Sequence, residues 1–222
     1  MATTRYPQFC ALARAAELVG ERWTLLIVRE LLLGPQRFSD LKARLDSISS
    51  SVLAQRLARL EEAGLVRRTY LEPPAASTVY ELADAGRALE PVVFALIRWG
   101  ARFLLPPRPG ERVEPDWLRL ALAAYARSGP SPAVALDLRI TGGGRETTVH
   151  VEGGPDGTAV TPGPAPADIT ATADVNTVLA LMARLISPAQ ALAQGLAQAE
   201  GDLEALTAFP DLFEWTRKET DR

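Results

Sequence analysis

Cys10 and His150 are the single cysteine and the single histidine of this 222-residue chain, and together they bound the chemistry it can do. One cysteine forms no internal disulfide framework and no cysteine-rich zinc site. One histidine leaves histidine-based metal sites short of ligands, so neither a metal nor another cofactor is expected. A serine nucleophile would need that imidazole as its base and a third group to orient it. His150 lies between Val149 and Val151, and strand alternation puts it on an exposed face with Thr148 and Glu152. No partners for it can be placed, so the chain is not expected to be an enzyme. Gly142-Gly143-Gly144 precedes a strand rather than a helix, which makes it a turn and not a phosphate cradle. Cys10 has two readings. Near a helix amino terminus its thiolate is favoured, which makes it a candidate redox group. As a small apolar side chain it would sit at a seam between subunits. A switch with one cysteine per chain needs an intersubunit bond or an adduct.

A second set of chemistry-bearing residues lies between positions 36 and 68. Arg37, Lys42, Arg44, Arg56, Arg59, Arg67 and Arg68 are set against Asp40, Asp46, Glu61 and Glu62, a formal net of +3. Ser39, the run Ser49-Ser50-Ser51 and Gln55 add short polar groups. A DNA duplex calls for such a set: cations for phosphates, and small polar side chains with a helix amino terminus for the major groove.

The elements that must position these residues read as helix after helix. Phe9, Leu12, Ala16 and Val19 recur at helical spacing and give an amphipathic first helix. Trp23 to Leu33 is apolar nearly all round and is expected to be central and buried, ending at Gly34-Pro35. Phe38, Leu41 and Leu45 mark a third helix. Leu53, Leu57 and Leu60 mark a fourth, stopped by Gly64, with Ser49 as its N-cap. Leu65 to Leu71 and Ser77 to Leu82 read as strands. A fifth helix is expected from about Asp84 to Leu104, kinked at Pro91. Three helices, a recognition helix entered through serines and a two-stranded ribbon make a winged helix-turn-helix. Ser50, Ser51, Ala54 and Gln55 then face outward, and Arg37, Lys42, Arg44, Arg56, Arg59, Arg67 and Arg68 lie along the duplex.

At this point the chain resembles a family. Cys10-Ala11-Leu12-Ala13 and Gly20-Glu21-Arg22-Trp23-Thr24-Leu25-Leu26-Ile27 are similar to the start of HxlR-type transcription regulators. So are Gly34-Pro35-Gln36-Arg37-Phe38-Ser39-Asp40-Leu41, Gln55-Arg56-Leu57, Gly64-Leu65-Val66 and Tyr80-Glu81-Leu82. The resemblance spans residues 8–104. It implies a homodimeric winged-helix repressor or activator on a palindromic double-stranded DNA operator, dimerised through its first and last helices, here 9–19 and 84–104. Some members look like redox sensors with an early cysteine, which is the position of Cys10. Ser50 and Ser51 stand where the family often has larger polar residues, so base preference does not carry over. Ala83 replaces the usual threonine cap of the last helix, where Asp84 can serve instead.

The rest of the chain is of another kind. Leu105 to Pro115 holds four prolines in eleven residues and reads as an extended linker. Beyond it, Trp117 to Ala126 reads as a helix, residues 134–140, 147–151, 157–161 and 169–173 as strands, and 176–186, 188–193 and 203–213 as helices. Asp174-Val175-Asn176-Thr177-Val178-Leu179, Ser187-Pro188-Ala189-Gln190 and Gln198-Ala199-Glu200-Gly201-Asp202 resemble the sterol carrier protein type 2 fold over residues 115–215. That likeness implies an apolar cavity between sheet and helices, with Leu118, Leu122, Leu136, Leu138, Leu179, Met182, Leu185, Leu192 and Phe213 as candidate lining. The alternative for the same residues is a filled core, with dimer support or protein binding as the role of the domain.

The fold class is thus α+β: a winged helix-turn-helix over 1–104, a proline-rich linker over 105–114, and a sterol-carrier-like domain with a mainly antiparallel sheet over 115–222. The net charge of −3 is an average of +3 over residues 1–104 and −6 over the remainder, which points to different partners for the two parts. No run of 18 or more apolar residues occurs, so no membrane association is expected, and without a signal peptide at Met1 to Gln8 the expected location is cytoplasmic. The function expected is a dimeric DNA-binding regulator controlled by a hydrophobic small-molecule effector. The alternative is a lipid-binding or scaffold protein whose winged helix contacts protein.

Overall fold

The computed structural model describes residues 5–74, 76–104, 108 and 110–215. The chain divides into two compact units, Met1–Val93 and Phe94–Arg222. Of the proline-rich stretch, Leu105, Pro106, Pro107 and Pro109 lie outside the described residues.

The first unit contains α1 (Ala11–Val19), α2 (Thr24–Leu32), α3 (Phe38–Arg44), α4 (Ser50–Glu62), β1 (Val66–Leu71), β2 (Ser77–Leu82) and α5 (Asp84–Arg87). Leu53, Leu57 and Leu60, at helical spacing on α4, are all buried, against a core that includes Ile27, Leu41 and Ile48. β1 and β2 pair antiparallel from Val66↔Leu82 to Leu71↔Ser77. Gln36 adds a short third member: its N–H donates to the Tyr80 carbonyl at 2.9 Å, and Tyr80 N–H donates back at 2.7 Å. Gly86 lets α5 lie on the start of the ribbon, because a Cβ there would stand 2.0 Å from the Leu65 carbonyl oxygen.

Three helical expectations change. α2 buries Thr24, Ile27, Val28, Glu30 and Leu31, but Leu26 is exposed, so the helix is not buried all round. α1 buries only Ala13, which leaves Phe9 and Leu12 in solvent. The last helix is broken rather than kinked. α5 stops at Arg87, α6 runs Glu90–Gly100, and a short 3₁₀ turn covers Ala101–Phe103. Pro91 is the second residue of α6, in the first turn, where a missing N–H costs nothing. The division between the units falls inside this helix. Its Phe94, Ile97 and Ala101 pack on the second unit's core.

The second unit contains α7 (Pro115–Tyr125), β3 (Ala135–Gly142), β4 (Arg145–Gly154), β5 (Gly157–Pro162), β6 (Ile169–Asp174), α8 (Val175–Met182), α9 (Pro188–Ala193), β7 (Ala197–Gly201) and α10 (Leu203–Thr207). The sheet order is β5-β4-β3-β6-β7. Only the β3–β6 pair is parallel, which gives the mainly antiparallel sheet of an α+β domain. Leu136, Leu138, Ile140, Val149, Val151 and Ile169 face one side and are buried with residues of the helices. α8 and α9 begin on side-chain caps: Asp174 accepts from Thr177 N–H at 2.7 Å and Ser187 from Gln190 N–H at 3.2 Å.

His150 is not on an exposed face. It is buried, with Nδ1 2.8 Å from Asp137 Oδ1. Its cross-strand partner in the register is Asp137. The segment after β5 closes over the pair: Gly163 N–H donates to the Thr148 carbonyl and Ala165 N–H to Asp137 Oδ1, at 3.0 and 3.2 Å. Alternation fixes which face a strand residue takes, but it does not reveal that a later segment covers that face.

Candidate nucleic-acid interface

The site is built on the start of α4. Ser49 Oγ accepts from Val52 N–H at 3.2 Å, satisfying one of the donors that the first turn leaves unpaired. That cap fixes the angle at which α4 begins. Ser49, Ser50, Ser51 and Ala54 are exposed and Gln55 is half-buried. The exposed amino end of α4 therefore presents three hydroxyls, an amide and the positive end of the helix dipole. Arg37 and Ser39 are exposed at the start of α3 and Lys42 is half-buried along it. Arg37 Nε donates to Ser77 Oγ at 3.0 Å, which ties α3 to the first residue of β2. Arg67 and Arg68 are exposed on β1.

The arginines differ in what already holds them. Glu21, just before α2, takes ion pairs from both Arg56 and Arg59. Those side chains are only 14% and 29% exposed, so they brace the back of α4 against the turn before α2. Glu30 is fully buried and pairs with Arg29 and Arg44, each at 2.5 Å, which locks α3 onto α2. A carboxylate in that position is tolerable only because two guanidiniums meet it. On the wing, Arg67 pairs with Glu81 at 2.9 Å and Arg68 with Glu61 at 2.8 Å. The Arg68 guanidinium also lies over the Tyr80 ring. Glu61 holds the proton on Arg68 more firmly than usual. The hydroxyl of Thr69 and then Arg67 hold the Glu81 carboxyl below its ordinary value.

The sequence count of +3 therefore does not survive as a patch of +3. Glu21, Glu30 and Glu81 lie outside the window 36–68, yet each folds onto a cation within it. These three carboxylates are the residues that the reading of the motif missed. Glu21 and Glu81 stand inside the Gly20-Glu21-Arg22-Trp23 and Tyr80-Glu81-Leu82 runs, whereas Glu30 had no signal in the sequence.

The expected ligand lining of the second unit is split. Leu118, Leu122, Leu136, Leu138, Met182 and Phe213 are buried in its core, and Leu179 and Leu192 pack partly buried against it. Leu185 lies outside, 63% exposed, because α8 ends at Met182 and the chain turns at Arg184, φ 55°. Between sheet and helices the room beside Leu138, Ala171, Val178 and Phe209 is about 10 Å³, no more than the ~10–15 Å³ that a single water needs. Cys10 is exposed at the N-cap of α1 and its side chain makes no cap bond.

Residues 18–107 match the family model described as HxlR-like helix-turn-helix. YvaP, an HTH-type transcriptional regulator of Bacillus subtilis, is 37% identical over 93 residues, 42% of this chain and 86% of YvaP. The chain belongs to the HxlR-like helix-turn-helix family. Membership makes it a DNA-binding transcription regulator and not an enzyme. YodB, an HTH-type transcriptional regulator of the same organism, is 35% identical over 92 residues, 41% of this HxlR-like chain and 82% of YodB. Rv3095 of Mycobacterium tuberculosis is 42% identical over 99 residues, 45% of this chain and 61% of that one. The structure of reduced YodB, at 32% identity, covers 46% of this chain and 100% of its own, with a TM-score of 0.39. All these matches span less than half of the HxlR-like chain. Among the described residues no helix is long and apolar enough to cross a membrane.

Proposed function

We propose that this HxlR-like protein acts in the cytoplasm as a homodimer on a palindromic operator, with α4 in the major groove and the wing on the adjacent backbone. The observation that carries the reading is the exposed, side-chain-capped amino end of α4 with Ser50, Ser51 and Gln55 on it. Arg37, Ser39, Lys42, Arg67 and Arg68 flank that end and contact phosphate. Arg56 and Arg59 act from behind, holding α4 in place through Glu21. The dimer is supported by the first helical segment, where Phe9 and, on α1, Leu12 are exposed among the described residues. The modules are those read from the sequence: residues 1–104 read DNA, 105–114 connect, and 115–222 form a sterol-carrier-like domain that holds an apolar effector. A ligand that favours one dimer geometry shifts operator affinity by its differential affinity for the two states.

The test is selection of duplexes from a randomised pool by the full-length protein, followed by anisotropy titrations. Arg68→Gln should weaken selected and random duplexes alike by about ten-fold, since a phosphate contact carries no sequence information. Ser51→Ala combined with Gln55→Ala should relax the selected sequence. A double variant that selects the same sequence with the same affinity would place α4 outside the groove.

A further inference from the structure

Room for a ligand in the second unit lies outside its core. A groove of about 270 Å³ runs between α7 and α8, walled by Val113, Trp117, Leu118, Ala121, Val175 and Leu179. Its base is fixed by the turn between β3 and β4. Cβ atoms added at Gly142 would stand 3.3 and 3.4 Å from the side chains of Val175 and Val113, and one at Gly143 only 2.7 Å from the Val113 carbonyl oxygen. The glycines let the hairpin end press against both walls, which holds Val113 and Val175 apart at a set width.

We propose that this groove is a ligand site for an uncharged aromatic molecule of two or three rings. The proposal rests on the effector reading above and gives the effector a place and a chemical class. The volume is near the lower end of the range for small-molecule sites, ~300–1,000 Å³, and is too small to enclose a sterol-sized body. Trp117, which lines the groove, supplies aromatic surface for a ring to pack against. The rim decides the charge. Arg108 is held by Glu111, through its N–H at 2.9 Å and its guanidinium at 4.0 Å. Arg112 pairs with the buried Glu114, which Arg145 also meets at 3.1 Å. Each of these charges already has an opposite partner, so a charged ligand finds no unmatched countercharge and must displace a pair to gain one. An uncharged ligand displaces neither pair. Asn176, at the rim on α8, offers an amide that both donates and accepts one hydrogen bond.

The experiment uses the full-length protein and two fluorescent probes that differ by one charge. These are N-phenyl-1-naphthylamine and its sulfonate, 1-anilinonaphthalene-8-sulfonate. The uncharged amine should bind saturably, and the sulfonate about ten-fold more weakly, because its charge is desolvated without a partner. Ala121→Phe, which fills the groove, should weaken the amine at least about ten-fold. Val113→Trp fills it from a partly exposed position, so its effect is readable even where the α7 variant fails to fold. Tighter binding of the sulfonate overturns the uncharged class. Amine binding unchanged in both filled variants, or no saturable binding of the amine, overturns the groove and leaves the effector reading standing for another site. Saturating amine that binds the groove and leaves operator affinity unchanged does the reverse: it sinks the effector reading and leaves the site in place.

Discussion

Glu21 carries two arginines, and that arrangement separates the residues that read DNA from those that hold the reader. Arg56 and Arg59 sit on the recognition helix and look, by type and position, like phosphate contacts. Their guanidiniums are turned to one carboxylate instead. Glu21→Gln should therefore cost about 1–2 kcal/mol, between an exposed pair and a buried one, measured as a lowered urea midpoint with an unchanged slope. A midpoint within error of the parent would mean that the pairs do no bracing. Glu81 gives a pH counterpart on the wing. Its carboxyl lies below the ordinary 4.5, first through the Thr69 hydroxyl and then through Arg67. A depressed folded value means that the contribution is complete above the unfolded value and is lost as pH falls through the folded one. Thr69→Val should move the carboxyl titration of Glu81, followed by NMR, up towards 4.5. A titration that stays put would remove Thr69 as the cause.

Single elements were legible wherever one periodicity and one stop signal sufficed. α4 shows both: three leucines on one face and Gly64, at φ 68°, just past its end. The Ser49 cap was readable too, and its energetic role is testable. Ser49→Ala should destabilise the first unit by about 1 kcal/mol, seen as a lower melting temperature, and should also weaken operator binding because Ser50 and Ser51 lose their fixed angle. Loss of stability with full operator affinity would show that the cap supports the fold but not the site. What sequence alone missed had a common cause, since it depended on what lies across a gap in the chain. Pro91 starts a helix because α5 has already stopped against Leu65, where Gly86 fits. His150 is buried because the segment after β5 returns over Asp137. Of the apolar residues expected to line a cavity in the second unit, all but Leu185 face inward, but their spacing holds no information on whether the space between them is filled.

At the scale of the whole molecule the question is how much of the arginine content meets DNA. Seven basic side chains lie between residues 36 and 68, and a dimer that used all of them would neutralise about fourteen phosphates. Each neutralised phosphate adds about −0.9 to the slope of log affinity against log salt, so that reading demands a slope near −13. The structure divides the seven. Arg44, Arg56 and Arg59 are turned inward to Glu30 and Glu21. Arg37, Lys42, Arg67 and Arg68 remain along the outer face. Four per protomer give about eight phosphates and a slope no steeper than about −7. Titrations of the full-length protein with a selected duplex between 50 and 300 mM salt, on the order of that in which counterion release is read, distinguish the two. A slope steeper than about −10 would mean that α4 sheds Glu21 on binding, and Glu21→Gln would then raise DNA affinity instead of merely lowering stability. The acidic second part, with its net of −6, adds repulsion that is screened by the same salt, which can only make the measured slope shallower than the contact count.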